Sequence, residues 1–302
     1  MQLPRTELRD PDAIGLARRS DADILELLLQ KQVAALSAVN SALPALTDGA
    51  ARIQAAITSN KMIGYAGAGS AGLAALCDYL ELPGTFGYPP ERLRMLFAGG
   101  TDNLKSMRGR VEDSTEEGSR DFYDSGLGTD DCIILISASG TTPYTLGVLR
   151  AAKESGTTTI GIANNPDTPL LQQADIPILL PTQPEIIAGS TRLGAATAQK
   201  VALNMMSSLV ALRLGHAVRG HMVNLVADNE KLQKRALRII MDISDCSEAD
   251  ALDALRNASG DVKIAILIAR DKVEPEVARQ RIAACDGNLR PLLDHTINPQ
   301  GR

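Results

Sequence analysis

Three short stretches of this sequence combine glycine with hydroxyl side chains, as loops that grip anions do. The first, GAGSAG (67–72), lies between an apolar run, MIGYA (62–66), and a helical pattern expected to begin near Leu73. A glycine-rich turn from strand to helix lets backbone N–H groups and the positive end of the helix dipole approach an anion. Gly67, Gly69 and Ser70 are its candidate contacts. Its G-x-G-x-x-G spacing also suits a dinucleotide, or a tight turn that binds nothing. A dinucleotide site needs an acid at the tip of the second strand, and this chain has Phe97, Ala98, Gly99 and Gly100 there, so NAD is not expected. The second stretch, SASGTTP (137–143), follows CIILI (132–136) directly. Ser137, Ser139, Thr141 and Thr142 offer hydroxyls, Gly140 permits a tight turn, and Pro143 suits the first turn of a helix. With no P-loop lysine and little length for a triphosphate, a phosphomonoester is the better ligand, and a serine-rich helix cap is the plainer use. The third, QPEIIAGSTR (183–192), precedes a long helix; Ser190 and Thr191 either cap it or bind ligand, and Arg192 either pairs on the surface or reaches the site.

Other chemistry-bearing residues are sparse. The histidines are His216, His221 and His295, spaced too irregularly to build a metal site. His221 is expected at a helix start. Cys77, Cys132, Cys246 and Cys285 form no C-x-x-C pair and read as buried thiols of a reducing compartment. No metal site is expected.

The elements that must position these loops are legible as alternating strand and helix patterns. Apolar runs at 62–66, 94–98, 132–136, 158–163 and 176–180 alternate with helical stretches, which implies a parallel sheet covered on both faces. Helices are expected from Pro143 to Ser155, Thr168 to Ala174, about Leu193 to Leu214 and about Met222 to Ile243. Ahead of the sheet, Ile24, Leu27, Leu28, Val33, Leu36 and Val39 mark a helix from Asp21 to about Leu43. Past residue 245 come three short helical units; DVKIAILIAR also fits a period of two, and helix is favoured from its neighbours. The expected organisation is an N-terminal helical segment (1–48), an α/β domain (49–244) and a small helical bundle (245–302). Ligands of an open parallel sheet bind at the carboxyl ends of the strands, and all three loops lie there.

Composition narrows the class further. The chain has 302 residues, 44% hydrophobic and 22% charged, with 31 Lys+Arg against 36 Asp+Glu and 3% aromatics. This is enough chain to bury a real core, and a disordered or disulfide-stapled protein is excluded. Without a basic tract or stacking aromatics, nucleic acid is not an expected partner. The charged start, MQLPRTELRDPD, is unlike a secretion signal, and no window is apolar enough for a membrane span, so a cytoplasmic location is expected.

With these residues in view, the chain resembles the sugar isomerase (SIS) superfamily and, within it, the N-acetylmuramic acid 6-phosphate etherases. SASGTT matches the S-x-S-G-x-T motif of SIS domains; longer matches are GAGSAGLAALCDYLELPGTFG (67–87), VEDS (111–114), IIAGSTRLGAATAQKVALNMM (186–206), VADNEKLQKRALRI (226–239) and TELRDP near the start. The resemblance spans nearly the whole chain and implies a five-stranded parallel sheet flanked by helices, a tail similar to ubiquitin-associated bundles, and a homodimer holding a phosphorylated amino sugar near the subunit interface. It implies cleavage of the lactyl ether at C3, giving N-acetylglucosamine 6-phosphate and D-lactate without metal or redox cofactor. By the same resemblance Glu81 matches the acid for the departing lactate and Glu112 the base for the C2 proton, and the two roles could be exchanged. Two carboxylates suit that chemistry, best with raised pKa values.

The match has departures. The family's arginine in the first loop is Leu73 here, that in the second loop is Thr141, and the lysine after the third loop is missing from Leu193-Gly194-Ala195-Ala196. Losing charge-assisted contacts to a phosphate, each worth roughly 1.5–3 kcal/mol, weakens binding or changes the substrate. Two alternatives therefore stand beside the lyase: a sugar-phosphate isomerase, which shares C2 deprotonation, and a non-catalytic sugar-phosphate sensor resembling glucokinase regulatory proteins.

Overall fold

Each of the five apolar runs is a strand: β1 (Ile63–Gly67), β2 (Leu93–Phe97), β3 (Cys132–Ile136), β4 (Thr158–Ala163) and β5 (Ile176–Leu179). The structure, a computed structural model, describes residues 3–107, 109–225, 227 and 229–294. The strands form one parallel sheet in the order β2-β1-β3-β4-β5, with Ile63 of β1 opposite both Leu93 and Cys132. β1 and β3 are buried along their whole length, as central strands covered on both faces must be. Because the chain winds from β1 outward to β2 and then back to β3, the switch point lies between β1 and β3, the place where open parallel sheets bind ligands at the strands' carboxyl ends.

The helices are α1 (Asp21–Asn40), α2 (Leu43–Thr58), α3 (Gly69–Phe86), α4 (Gly100–Asn103), α5 (Thr115–Asp124), α6 (Pro143–Glu154), α7 (Pro169–Gln173), α8 (Gly194–Arg213), α9 (Glu230–Ser244), α10 (Glu248–Asn257), α11 (Val262–Asp271), α12 (Pro275–Ala283) and α13 (Arg290–Asp294). They fall into two compact units. One holds the chain up to Tyr79 together with Glu91–Ser207; the other holds Leu80–Pro90 and the chain from Ser208 onward. In the first, Phe122, Ile133, Leu135, Tyr144, Val148 and Leu149 form a core between sheet and helices, and the Tyr144 hydroxyl anchors α6 by donating to Asp121 Oδ2 at 2.7 Å. In the second, Ile239, Ile240, Ala254, Ala265, Ile266 and Leu267 form a separate core. α11 is the helix favoured for DVKIAILIAR, started by Asp261, whose Oδ1 accepts the Ile264 N–H at 3.0 Å.

Five sequence expectations are corrected. α3 begins at Gly69 rather than near Leu73, because the Gly72 N–H already donates to Ala68 O at 2.9 Å; the glycine loop is itself the first turn. Pro83 and Gly84 read in the sequence as the end of the helix that follows the first loop, yet they do not end α3. Pro83 removes one N–H, but the next turn holds, Gly87 donating to Pro83 O at 2.9 Å. The helix expected from Met222 begins only at Glu230, capped by Asn229; before it stands a hairpin, β6 (Ala217–Val218) with β7 (His221–Met222), turned by Arg219 and Gly220 with φ of 49° and 80°. His221 therefore sits on a strand, paired with Asp242, and not at a helix start. Finally, Cys77 is exposed, while Cys132 is the buried thiol and Cys246 and Cys285 are half-buried. His295 lies outside the described residues. Among the described residues no helix is long and apolar enough to cross a membrane.

Candidate active site at the tips of β1 and β3

The first loop leaves the end of β1 and coils at once into α3. Gly69 has φ of 55°, and a methyl placed on it would lie 3.6 Å from Glu112 Oε2, so the Glu112 carboxylate stands against this turn. The opening N–H groups of a helix lack intrahelical partners, and those of α3 follow directly on β1 at the switch point. Glu112 belongs to a 3-10 turn, Gly109–Asp113, that contacts α6; Val111 packs into the core, and Ser114 caps α5 by accepting the Glu117 N–H at 3.0 Å. Fixed on both sides, the half-buried Glu112 has little freedom to leave. Burial pushes its carboxyl above the ordinary value of 4.5, and the neighbouring Asp113 charge adds to the shift.

The second loop gathers its hydroxyls instead of spending them on the helix. Ser137 Oγ lies 2.8 Å from Thr142 Oγ1 and 3.2 Å from Ser139 Oγ, and Ser139 and Thr142 are 3.5 Å apart. Thr142, the residue before α6, makes no side-chain cap bond to that helix. Backbone N–H groups of Gly140 and Thr141 donate to Ser137 Oγ (3.0 Å) and Ser139 Oγ (3.2 Å), and the Thr141 hydroxyl donates to Ser139 Oγ at 3.1 Å. Gly140 is required: its φ is 71°, and a Cβ would meet Thr168 Oγ1 at 2.3 Å. The result is a compact group of rotatable donors and backbone N–H groups suited to phosphate oxygens.

The third loop reaches the same side of the sheet. Arg192 and Ser70 line one groove of about 400 Å³, with Leu73, Ala74, Ala196, Thr197, Lys200 and Val201. Ser190 and Thr191 form the turn before α8, but they do not cap it. Glu185, 5% exposed, does so: Oε2 accepts the Gly194 N–H at 3.0 Å and Oε1 the Ala195 N–H at 2.8 Å. Glu185 was missed in the sequence because nothing in the spacing from Glu185 to Gly194 marks a cap. Asn165, at the tip of β4, was missed as well and is taken up below. Lys200 faces the groove, Asn204 donates to buried Asp78 Oδ1 at 2.7 Å, and Asn229 caps α9.

The structure thus sets Gly69 against Glu112, Ser70 beside Arg192, and Ser137, Ser139, Thr141 and Thr142 with one another. Glu81 is exposed on α3 and belongs to the second compact unit. Among the described residues no group of three or more His, Cys, Asp or Glu could hold a metal ion.

A parallel sheet in this order, with serine-rich and glycine-rich loops at its switch point, defines a SIS domain, and the SIS domain family model matches residues 102–212. A phosphoheptose isomerase from Francisella tularensis shares the fold at 15% identity, with a TM-score of 0.50 over 64% of this chain and 100% of that one. The N-acetylmuramic acid 6-phosphate etherase of Deinococcus radiodurans is 39% identical over 96% of this chain and 95% of its own length, and that of Rubrobacter xylanophilus is 36% identical over 97% of each. At that identity over nearly full length, the chain belongs to the N-acetylmuramic acid 6-phosphate etherase family.

Proposed function

We propose that this chain is a carbon–oxygen lyase that cleaves the D-lactyl ether of N-acetylmuramic acid 6-phosphate, giving N-acetylglucosamine 6-phosphate and D-lactate. The observation that carries this reading is the Glu112 carboxylate set against the first loop, at the switch point that also presents the hydroxyl cluster. With the phosphate on Ser137, Ser139, Thr142 and the backbone of Gly67 and Gly69, the open-chain sugar extends toward Glu112. The aldehyde at C1 acidifies the C2 proton; Glu112, with its raised pKa, takes it, and the electron pair expels the oxygen on C3. The departing lactate needs a proton, assigned to Glu81, and water then adds to the unsaturated aldehyde.

Glu81 of one protomer serves the site of its partner. Three helices carry exposed apolar stripes: Leu25, Leu29, Val33 and Leu36 on α1, at 67%, 64%, 58% and 38% exposure; Leu73, Cys77 and Leu80 on α3; and Met205 and Leu212 on α8. Spacings of three and four residues on α1 and α3, and of seven, two turns, on α8 place each set on one face, and Glu81 shares the α3 face with Leu73 and Cys77. A homodimer burying such stripes would bring the exposed Glu81 of one protomer to the subunit interface. The test is release of D-lactate from N-acetylmuramic acid 6-phosphate by purified protein. The reading fails if the wild type releases none, or if Glu112→Gln retains full activity.

A further inference from the structure

We infer that Asn165 and Thr6 are positioning residues of the phosphate cradle, so that the turn Arg5–Glu7 is a working part of the substrate site. This inference rests on the phosphosugar reading above. The two residues are 3% and 5% exposed and meet across 159 positions of sequence. Asn165 Oδ1 accepts the Thr6 N–H at 3.3 Å. Asn165 Nδ2 donates to Thr6 Oγ1 at 3.0 Å and reaches the carbonyls of Ala138 (3.3 Å) and Ser139 (3.5 Å). One buried carboxamide thus fixes the peptide planes on both sides of Ser139, whose hydroxyl belongs to the cradle.

Thr6 holds that carboxamide from the far side and connects it onward. Its carbonyl accepts the Gly189 N–H at 3.0 Å, and a methyl placed on Gly189 would lie 3.3 Å from Glu7 Oε2. The turn is itself anchored, since Asp10, 2% exposed, pairs with Lys31 of α1 at 2.6 Å. Second loop, third loop and N-terminal turn are therefore joined through two buried residues, Asn165 and Thr6. Without the Asn165 amide the Ala138 carbonyl keeps only the Asn164 N–H, at 3.0 Å, and the Ser139 carbonyl loses its Asn165 contact; without the Thr6 hydroxyl the buried Asn165 Nδ2 loses its shortest acceptor, so in either case the hold on the loop slackens and the cradle can rotate. A rotation of the cradle changes how phosphate is held and leaves the C2 chemistry at Glu112 in place.

Two variants and a rescue test this in the full-length protein: Thr6→Val, close in shape but without the hydroxyl; Asn165→Asp, which turns a donor into an acceptor facing two carbonyls; and Thr6→Ser, which restores the hydroxyl. Binding of inorganic phosphate and of N-acetylglucosamine 6-phosphate is measured by calorimetry, with melting temperature as the folding control. Thr6→Val is expected to weaken both ligands by about threefold to tenfold, the worth of one buried hydrogen bond. Asn165→Asp is expected to weaken them more, and Thr6→Ser to bind as wild type does. In the lactate assay KM rises while kcat changes little. Unchanged Kd values in Thr6→Val, or a loss that tracks only the lowered folded fraction, overturn the inference. Because binding is read without turnover, a wild type that binds both ligands but releases no lactate sinks the lyase reading and leaves this one standing.

Discussion

At the scale of single residues the account turns on Glu112. Burial raises its pKa, so it becomes ionised only at a pH above the ordinary 4.5. A base must be ionised to act, and kcat/KM is expected to fall as pH drops through that raised value, a limb that disappears in Glu112→Gln along with activity. The same shift has a stability consequence of definite sign. A carboxyl whose folded pKa is raised favours the fold while protonated, and that contribution is lost as pH rises from the unfolded to the folded pKa. Glu112→Gln is therefore expected to be at least as stable as wild type near neutral pH, which chemical denaturation checks. A second prediction concerns Leu73, 43% exposed in the groove beside Ser70 and standing where the family carries arginine. Leu73→Arg is expected to lower KM for the phosphorylated sugar about fivefold or more by adding a charge-assisted contact, and the effect should shrink in high salt.

At the scale of elements, α8 illustrates what sequence reading reaches and where it stops. Its span was legible from the apolar pattern and from Gly215, which has φ of 70° just past the helix end. Its cap was not, because Glu185 lies nine residues before Gly194 and meets the helix N-terminus only once β5 and the third loop are in place. Glu185→Ala is expected to cost about 1–2 kcal/mol, read as a lowered urea midpoint. The strands were legible because buried parallel strands are continuous apolar runs, and the second loop because its hydroxyls crowd into six residues. The hairpin of β6 and β7 was hidden by its length: two residues a side give no alternation to read, and the apolar stretch beyond merged with the pattern of α9. Asn165 and Thr6 were hidden for the opposite reason, since their partnership spans 159 positions, more than half the chain.

At the scale of the whole molecule, the α1 stripe makes an explicit demand. Leu29→Asp combined with Val33→Asp is expected to turn a dimer into a monomer in sedimentation and to abolish lactate release without unfolding the chain, because both side chains are solvent-exposed in the single chain. A wild type that is monomeric and fully active would remove the shared site. The central claim is that the C3–O bond breaks by elimination after proton removal at C2, and the direct measurement is the reaction run in deuterium oxide. A proton held by Glu112 exchanges with solvent before water adds back, so the account predicts N-acetylglucosamine 6-phosphate carrying one deuterium at C2, formed in step with D-lactate. Lactate released with an unlabelled C2 would mean direct displacement at C3 and would contradict it.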